Sequence, residues 1–344
     1  MIAGLLAGFY LVFGVVIPSK LYTPTLQMPA PEVIKNVIPT KVEIQQMPNM
    51  LDSGLRRNDK DAASIGQLAY RYEGAPRHQE KIAGSDFVVP TGLKEDVEFW
   101  KKIYSQYTSD QAVMHDPDDL GRVYGVIDIP HCDEPPTKDC LKAREDAITA
   151  EKERLAEKKW GSAREAGRIR AQVGQRDKFI VGLESSKGVL EKVEVVFEEY
   201  GIPVEISRLA FVESMFNTRA YSRSRAAGIW QIMPATARIF GLRVGGKFDE
   251  RYDPIKSTYV AARHLKRDYN RLGSWDLAIN AYNSGPGRIA DAVNQLGTKN
   301  IVKIIKNYSN PSYGFAARNF YPCFLAVLEV YEGRDKYFYE KTNP

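Results

Sequence analysis

Cysteine and histidine are scarce in this chain, three and four among 344 residues. The histidines (His78, His115, His131 and His264) are scattered and form no ligand motif. His131 sits beside Cys132, but a zinc site needs a second paired cluster, and none follows. No metal or cofactor is therefore expected. A large charge of one sign is also missing. The net charge is +5, with no dense Lys/Arg stripe interleaved with aromatics, so nucleic acid is not an expected partner. Internal repeats are absent. With 44% hydrophobic and 26% charged residues, the composition is that of an ordinary globular protein of one or two domains plus a tail.

Long apolar runs are lacking except at the start. Met1–Ile17 is uncharged and apolar, and Pro18-Ser19-Lys20 ends it. The run is short of the ~20 residues of a spanning helix and long for a signal core. No basic residues precede it, no small-x-small cleavage site follows clearly, and no cysteine offers a lipoprotein attachment point. The expectation is an export signal or an uncleaved anchor over residues 1–20, tying the protein to the inner membrane; a buried N-terminal helix is the alternative. Cys132 and Cys140 flank DEPPTKD, a loop short enough to close as a local disulfide in an oxidising compartment. Cys323 reads as a buried thiol.

Residues 21–90 read as a disordered linker, rich in proline and polar residues and poor in periodicity. Residues 91–173 read as a helical accessory region. Val97, Trp100, Ile103, Tyr104 and Tyr107 share a helical face, and two stretches near QAVMHD and GRVYGVIDIP alternate weakly like extended segments. Leu141, Ile148 and Leu155 recur every seven residues with a polar seam between them, which favours a solvated or packing helix over a coiled coil. From Gly174 onward the pattern is helical, with no strand-rich region. The Val189–Phe197 stretch stops at Gly201-Ile202-Pro203. Asp253-Pro254 opens a long helix with Tyr259, Ala262, Leu265 and Tyr269 at helical spacing, and a last helix runs from about Tyr313 to Glu332.

Within that half, Glu213 follows an apolar helical run and precedes a Ser- and Gly-bearing loop that returns as Gly228-Ile229-Trp230-Gln231-Ile232-Met233-Pro234. A single carboxylic acid beside aromatic, amide and thioether groups suits glycosidic bond cleavage, because apolar surroundings keep the proton donor protonated near neutral pH. Ser222, Gly228, Gln231 and Met233 on the loop, and Tyr282 and Asn283 before Gly285-Pro286-Gly287, are the candidate substrate-binding residues. Each also has a bland reading: Ser222 as a turn cap, Gly228 as a turn glycine, Gln231 as an amide satisfying loop backbone, Met233 and Tyr282 as core, Asn283 as a loop fixture. Trp230 is expected in the core and Asp253 as a helix cap.

Taken in order, Glu213-Ser214, Ala220, Ser222, Ala227–Pro234 with Thr236, Asp253-Pro254 and Ala281–Gly287 resemble the catalytic module of the bacterial lytic transglycosylases, nearest to the membrane-bound lytic murein transglycosylase D type. The resemblance covers about residues 174–332. It implies a mainly α fold, a goose-type-lysozyme-like all-helical catalytic domain over 174–344 with a mostly helical N-terminal extension. It also implies peptidoglycan glycan strands as substrate and Glu213 as the only catalytic carboxylate, serving as acid and then base, with a 1,6-anhydromuramoyl product. The chain departs from that pattern at Ala316–Pro322, where Phe320 stands in place of an expected tyrosine, and in lacking the glycan-binding LysM repeats usual in that branch. Two other outcomes stay open on the residues: a lysozyme-type hydrolase using Asp249, Asp253 or Asp276 as second acid, and a non-catalytic wall-binding protein.

Overall fold

A switch from two-residue to helical periodicity separates two structural regimes in this chain. In the computed structural model, residues 80–81, 87–134, 136–245 and 248–339 are described. The apolar N-terminal run and most of the 21–90 linker lie outside them. All the described residues belong to one compact unit.

The first regime is mixed. A two-residue pair, β1 (Glu80–Lys81) with β2 (Val88–Val89), precedes α1 (Lys94–Ser105). Then β3 (Gln111–His115) and β4 (Val123–Asp128) form an antiparallel pair. After α2 (Lys138–Trp160), β5 (Arg170–Val173) returns to the other edge of β3, giving the order β4-β3-β5. Strand β3 is buried on both faces and sorts its side chains by alternation. Val113 joins the main core and the His115 ring lies 4.6 Å from that of Phe99 in α1. Ala112 and Met114 face the other way, into a small cluster with Ile129, Ala156 and Ile169 under α2. Ile148 and Leu155 of the seven-residue recurrence in α2 pack against this cluster. Thr137 caps that helix by accepting from the Cys140 amide at 3.2 Å, and Cys132 and Cys140 form a disulfide with Cα atoms 5.9 Å apart. The disulfide removes Cys132 as a metal thiolate, and His131 instead lies 2.7 Å from Asp110.

The second regime is helical, as expected. It comprises α3 (Arg176–Ser186), α4 (Leu190–Glu199), a 3-10 turn over Val204–Arg208, α5 (Leu209–Ser214), α6 (Pro234–Ile239), a short β6–β7 hairpin (Val244–Gly245, Phe248–Asp249), α7 (Pro254–Leu272), α8 (Trp275–Ser284), α9 (Pro286–Leu296), α10 (Ile301–Asn307) and α11 (Phe315–Glu332). Asp253 starts α7 by accepting from the amides of Ile255 and Lys256 at 3.0 and 2.9 Å, with Pro254 in the first turn. The buried stripe of α7 is Val260, Ala261, Ala262 and Leu265. Tyr259, expected inward, is 39% exposed and donates to Glu199, because the buried face is turned one position from the tyrosines. No helix among the described residues is long and apolar enough to cross a membrane.

One apolar core joins the two regimes. Helix α1 lies along α11, burying Trp100, Ile103 and Tyr104, and the Trp100 indole N–H donates to the Asn319 amide oxygen at 2.8 Å. Asp96 of α1 pairs with Lys306 of α10 at 2.6 Å. Removing the Trp100 side chain leaves a cavity and strands the Asn319 oxygen. Trp100→Ala is expected to cost about 3–5 kcal/mol of stability in urea denaturation; a loss below ~1 kcal/mol would mean that α1 is not integral to this core.

Candidate active site

Helix α5 is six residues long and buried at every position, so its last turn can carry a polar side chain inward only at a cost. That side chain is Glu213, 2% exposed. Its carboxyl makes no hydrogen bond or ion pair among the described residues, and burial alone pushes its pKa well above the ordinary value of 4.5. The helix ends abruptly after it. Met215 and Phe216 both take left-handed backbone conformations (φ 52° and 54°), their amides closing back on Phe211 and Ala210. Neither is glycine, so the turn is strained, and Phe216 is held there by edge packing on Phe211 with ring centroids 4.7 Å apart.

Two side chains, one from this helix and one from α8, hold the following loop. The Ser214 hydroxyl donates to the Ile229 carbonyl at 2.9 Å, and the Tyr282 hydroxyl of α8 donates to the Trp230 carbonyl at 2.9 Å. Trp230 is core: its ring stacks on Phe197 and its N–H donates to Thr258 at 2.8 Å. The loop closes on itself between Ala227 and Ile232. Gly228 stands at its tightest point, with φ 76° and no room for a side chain, since a Cβ there would lie 1.9 Å from the Arg251 carbonyl oxygen. Arg251, 2% exposed, braces the loop from below, donating to the carbonyls of Arg225 and Ile232 and pairing with both oxygens of Asp249.

The predicted substrate-binding residues fall on two elements, the 222–233 loop and the end of α8, with bonding that sequence alone does not show. Ser222 accepts from the Ala226 amide at 2.9 Å, a turn-closing bond that leaves its hydroxyl proton to donate elsewhere. Gln231 (φ 46°) spends its amide nitrogen on the Gly228 carbonyl at 2.9 Å, while its buried amide oxygen has no partner among the described residues. Met233 is half-buried and lines a cleft of ≈ 440 Å³. Tyr282 and Asn283 are half-buried at the end of α8, and the Asn283 side chain makes no hydrogen bond among the described residues. Burial raises the Tyr282 phenol well above its ordinary value, and the charges of Glu213 and Asp268 raise it further. Phe320 is buried in α11, and so is neighbouring Tyr321.

Four residues that the sequence pattern did not flag also shape the site. Arg251 supplies the brace. Tyr104, delivered by α1, is fully buried and feels the Glu213 charge. His264 and Asp268 lie behind Tyr282, the His264 ring 5.2 Å from it and its Nε2 3.3 Å from Asp268. Burial lowers His264 to about 4, so it is neutral at pH 7, and raises Asp268 to about 6. Only the i, i+4 spacing of His264 and Asp268 could have hinted at any of these.

The three aspartates considered as a second acid are all engaged. Asp249 is held by Arg251, Asp253 caps α7, and Asp276 accepts from the Ser274 hydroxyl and the Leu277 amide at the start of α8. What the geometry offers is an unpaired acid whose neutral form burial favours, on the helix that bonds a braced polar loop through Ser214.

Comparison with known proteins falls on the same segment. Residues 198–305 match the Transglycosylase SLT domain family. The chain is 43% identical over 94 residues to membrane-bound lytic murein transglycosylase D of Escherichia coli (strain K12), which covers 27% of this chain and 21% of that protein. It is 36% identical over 115 residues to a protein of Alteromonas sp. (strain M-1) named for tributyltin chloride resistance, covering 33% and 51%. Among solved structures, the 70 kDa soluble lytic transglycosylase of Escherichia coli aligns at 24% identity over 40% of this chain and 24% of that one, with a TM-score of 0.33. The chain thus carries a transglycosylase SLT domain, and its matches span about a fifth to a half of the curated relatives named.

Two expectations follow from this geometry. Because the folded-state pKa of Glu213 lies above its free value, its favourable contribution is complete below pH 4.5 and is lost as pH rises through the raised value. Glu213→Gln should therefore gain stability relative to wild type in thermal denaturation as pH is raised from 4.5 toward the raised value; a constant difference as pH rises would show that the carboxyl is not buried as an acid. Gly228→Ala should lose more than about 3 kcal/mol, since both φ and the Arg251 carbonyl exclude a side chain. An unchanged melting temperature would show that the loop has room to give.

Proposed function

We propose that this protein is a peptidoglycan lytic transglycosylase, a carbon–oxygen lyase that cleaves the β-1,4 bond between N-acetylmuramic acid and N-acetylglucosamine without water. The observation that carries the reading is Glu213: one buried, unpaired carboxyl with a raised pKa, within the segment that matches the SLT domain. Protonated Glu213 gives its proton to the glycosidic oxygen as the bond to the muramoyl anomeric carbon breaks. The muramoyl 6-hydroxyl then attacks that carbon, and its proton returns to the Glu213 carboxylate. A new C–O bond replaces the old one, the product is a 1,6-anhydromuramoyl end, and the acid is regenerated. The engagement of Asp249, Asp253 and Asp276 supports this one-carboxylate scheme over the two-carboxylate hydrolase.

In this reading Ser222 and Gln231 orient N-acetyl or hydroxyl groups: Ser222 has a proton to donate, and the Gln231 amide oxygen has no partner among the described residues. Met233 offers a soft apolar wall to a sugar face. Tyr282 acts through the loop, holding the Trp230 carbonyl, and Asn283 is open to a sugar hydroxyl. Gly228 serves loop closure. The protein works in the cell envelope, exported to the periplasm, with residues 1–20 as signal or membrane anchor, 21–90 as linker and 91–173 as a region accessory to the catalytic domain at 174–344. The Cys132–Cys140 disulfide supports an oxidising compartment.

The test is mass spectrometry of soluble muropeptides released from purified sacculi. Wild type should yield 1,6-anhydro ends, and Glu213→Gln should lower their rate on the order of 10³-fold or more. Activity should fall as pH rises through the raised Glu213 value, because the donor must be protonated. Reducing ends in place of anhydro ends would assign a hydrolase; sacculus binding with no products from either form would assign a wall-binding protein.

A further inference from the structure

Behind Tyr282 lies a buried acid that the proposed reaction does not use. Asp268 of α7 is wholly buried, and an ionised carboxyl there is costly unless it is paired. Its Oδ1 takes the Arg267 Nε–H at 3.1 Å. Its Oδ2 has no aligned hydrogen bond among the described residues, and His264 Nε2 stands 3.3 Å from it. The i, i+4 spacing puts the two side chains on one face of α7. An imidazole N–H at that distance is the donor that the buried oxygen lacks.

The imidazole in turn packs against the tyrosine. The His264 and Tyr282 rings lie 5.2 Å apart with 40° between their planes, and Phe240 packs on the same imidazole at 6.1 Å. The Tyr282 hydroxyl donates to the Trp230 carbonyl at 2.9 Å. The neighbouring carbonyl, that of Ile229, is held by Ser214, the residue after Glu213 in α5. A line of contacts therefore runs from Asp268 through His264 and Tyr282 to the short stretch of backbone that α5 also grips.

Resting on the transglycosylase reading, we propose that His264 and Asp268 are positioning residues for the reaction: Asp268 fixes the His264 imidazole, and that ring fixes Tyr282 at the Trp230 carbonyl. The chemistry of the pair gives it a signature. A carboxylate only accepts, so ionised Asp268 holds the imidazole proton on Nε2. Burial raises Asp268 to about 6 and lowers His264 to about 4, so on acidification the carboxyl takes a proton before the imidazole does. Neutral Asp268 then donates to Nε2, and the imidazole carries its own proton on Nδ1. The pair gains one proton and the ring stays neutral. The other charges acting on the pair are Arg267 and Arg271 of the same helix, and Tyr282 of α8 lies in the field of Asp268; among the described residues, α4 and α9 add none.

Nitrogen NMR of the full chain, with isotope-labelled histidine, reads the tautomer. The His264 proton should sit on Nε2 above about pH 7 and on Nδ1 near about pH 5, and Asp268→Asn should abolish that exchange. An exchange that persists in Asp268→Asn overturns the pairing. Kinetics on purified glycan strands read the positioning. His264→Leu and Asp268→Leu should each lower kcat for anhydro-end formation about tenfold, with KM within about twofold of wild type. In a Tyr282→Phe background, which lacks the carbonyl bond, neither should lower kcat further. Thermal denaturation checks that each variant is folded. Asp268→Leu, which replaces a buried carboxyl by an apolar group of similar size, keeps the test in hand where His264→Leu does not fold. An unchanged kcat, or a loss that persists undiminished in the Tyr282→Phe background, overturns the positioning role and leaves the transglycosylase reading standing. A wild type that releases no anhydro ends sinks that reading and the role in the reaction with it, whereas the tautomer result still decides the pairing.

Discussion

The burial of one unpaired carboxyl, Glu213, is the constraint on which the rest of the site depends. A carboxylate in that position would have no counter-ion among the described residues, so burial favours the neutral form. Nothing nearby can relieve it without spoiling it. An arginine within reach would lower the pKa and ionise the acid, and the arginine that braces the loop, Arg251, is committed to Asp249 and two backbone carbonyls. The cation that builds the loop is thus kept from neutralising the acid.

The loop itself is assembled from the ends of several elements. Ser214 comes from α5, Tyr282 from α8, Thr258 from α7 and Arg251 from the turn before α7, and each bonds the 225–232 stretch. Left-handed backbone at Met215, Phe216, Arg225 and Gln231 lies in or beside this same stretch. Strain concentrated there is sustained because four separate elements overdetermine its geometry.

Much of this was legible in the sequence and some could not be. Asp253-Pro254 marks a helix start whose chemistry is local, and the structure forms that cap. Trp230 and Trp100 fall in the core as their apolar neighbours imply. The sheet is different: β3 to β5 spans a whole intervening helix, and only weak alternation betrays it, because β3 is buried on both faces and has no polar side. The site residues could be picked out as an ordered set, but their partners could not. Tyr282 bonds a carbonyl 52 residues away and Ser222 bonds its own turn, and pairings of that kind depend on the folded path and not on residue type. Arg251 was invisible for the same reason. As a sequence position it is one arginine among many, and its role comes from being almost wholly buried between two carbonyls and a carboxylate.

A two-carboxylate glycosidase needs a second acid that is solvated, ionised and free to hold water or attack carbon. Three aspartates here are consumed by structure: Asp249 neutralises the loop brace, Asp253 starts helix α7, and Asp276 closes the first turn of the helix that carries Tyr282. Releasing any of them for catalysis would dismantle a support of the same site. Economy of carboxylates and the architecture of the loop are therefore one property of the fold. An acid that must act alone has to recover the proton it gives, and a nucleophile carried by the substrate itself allows that.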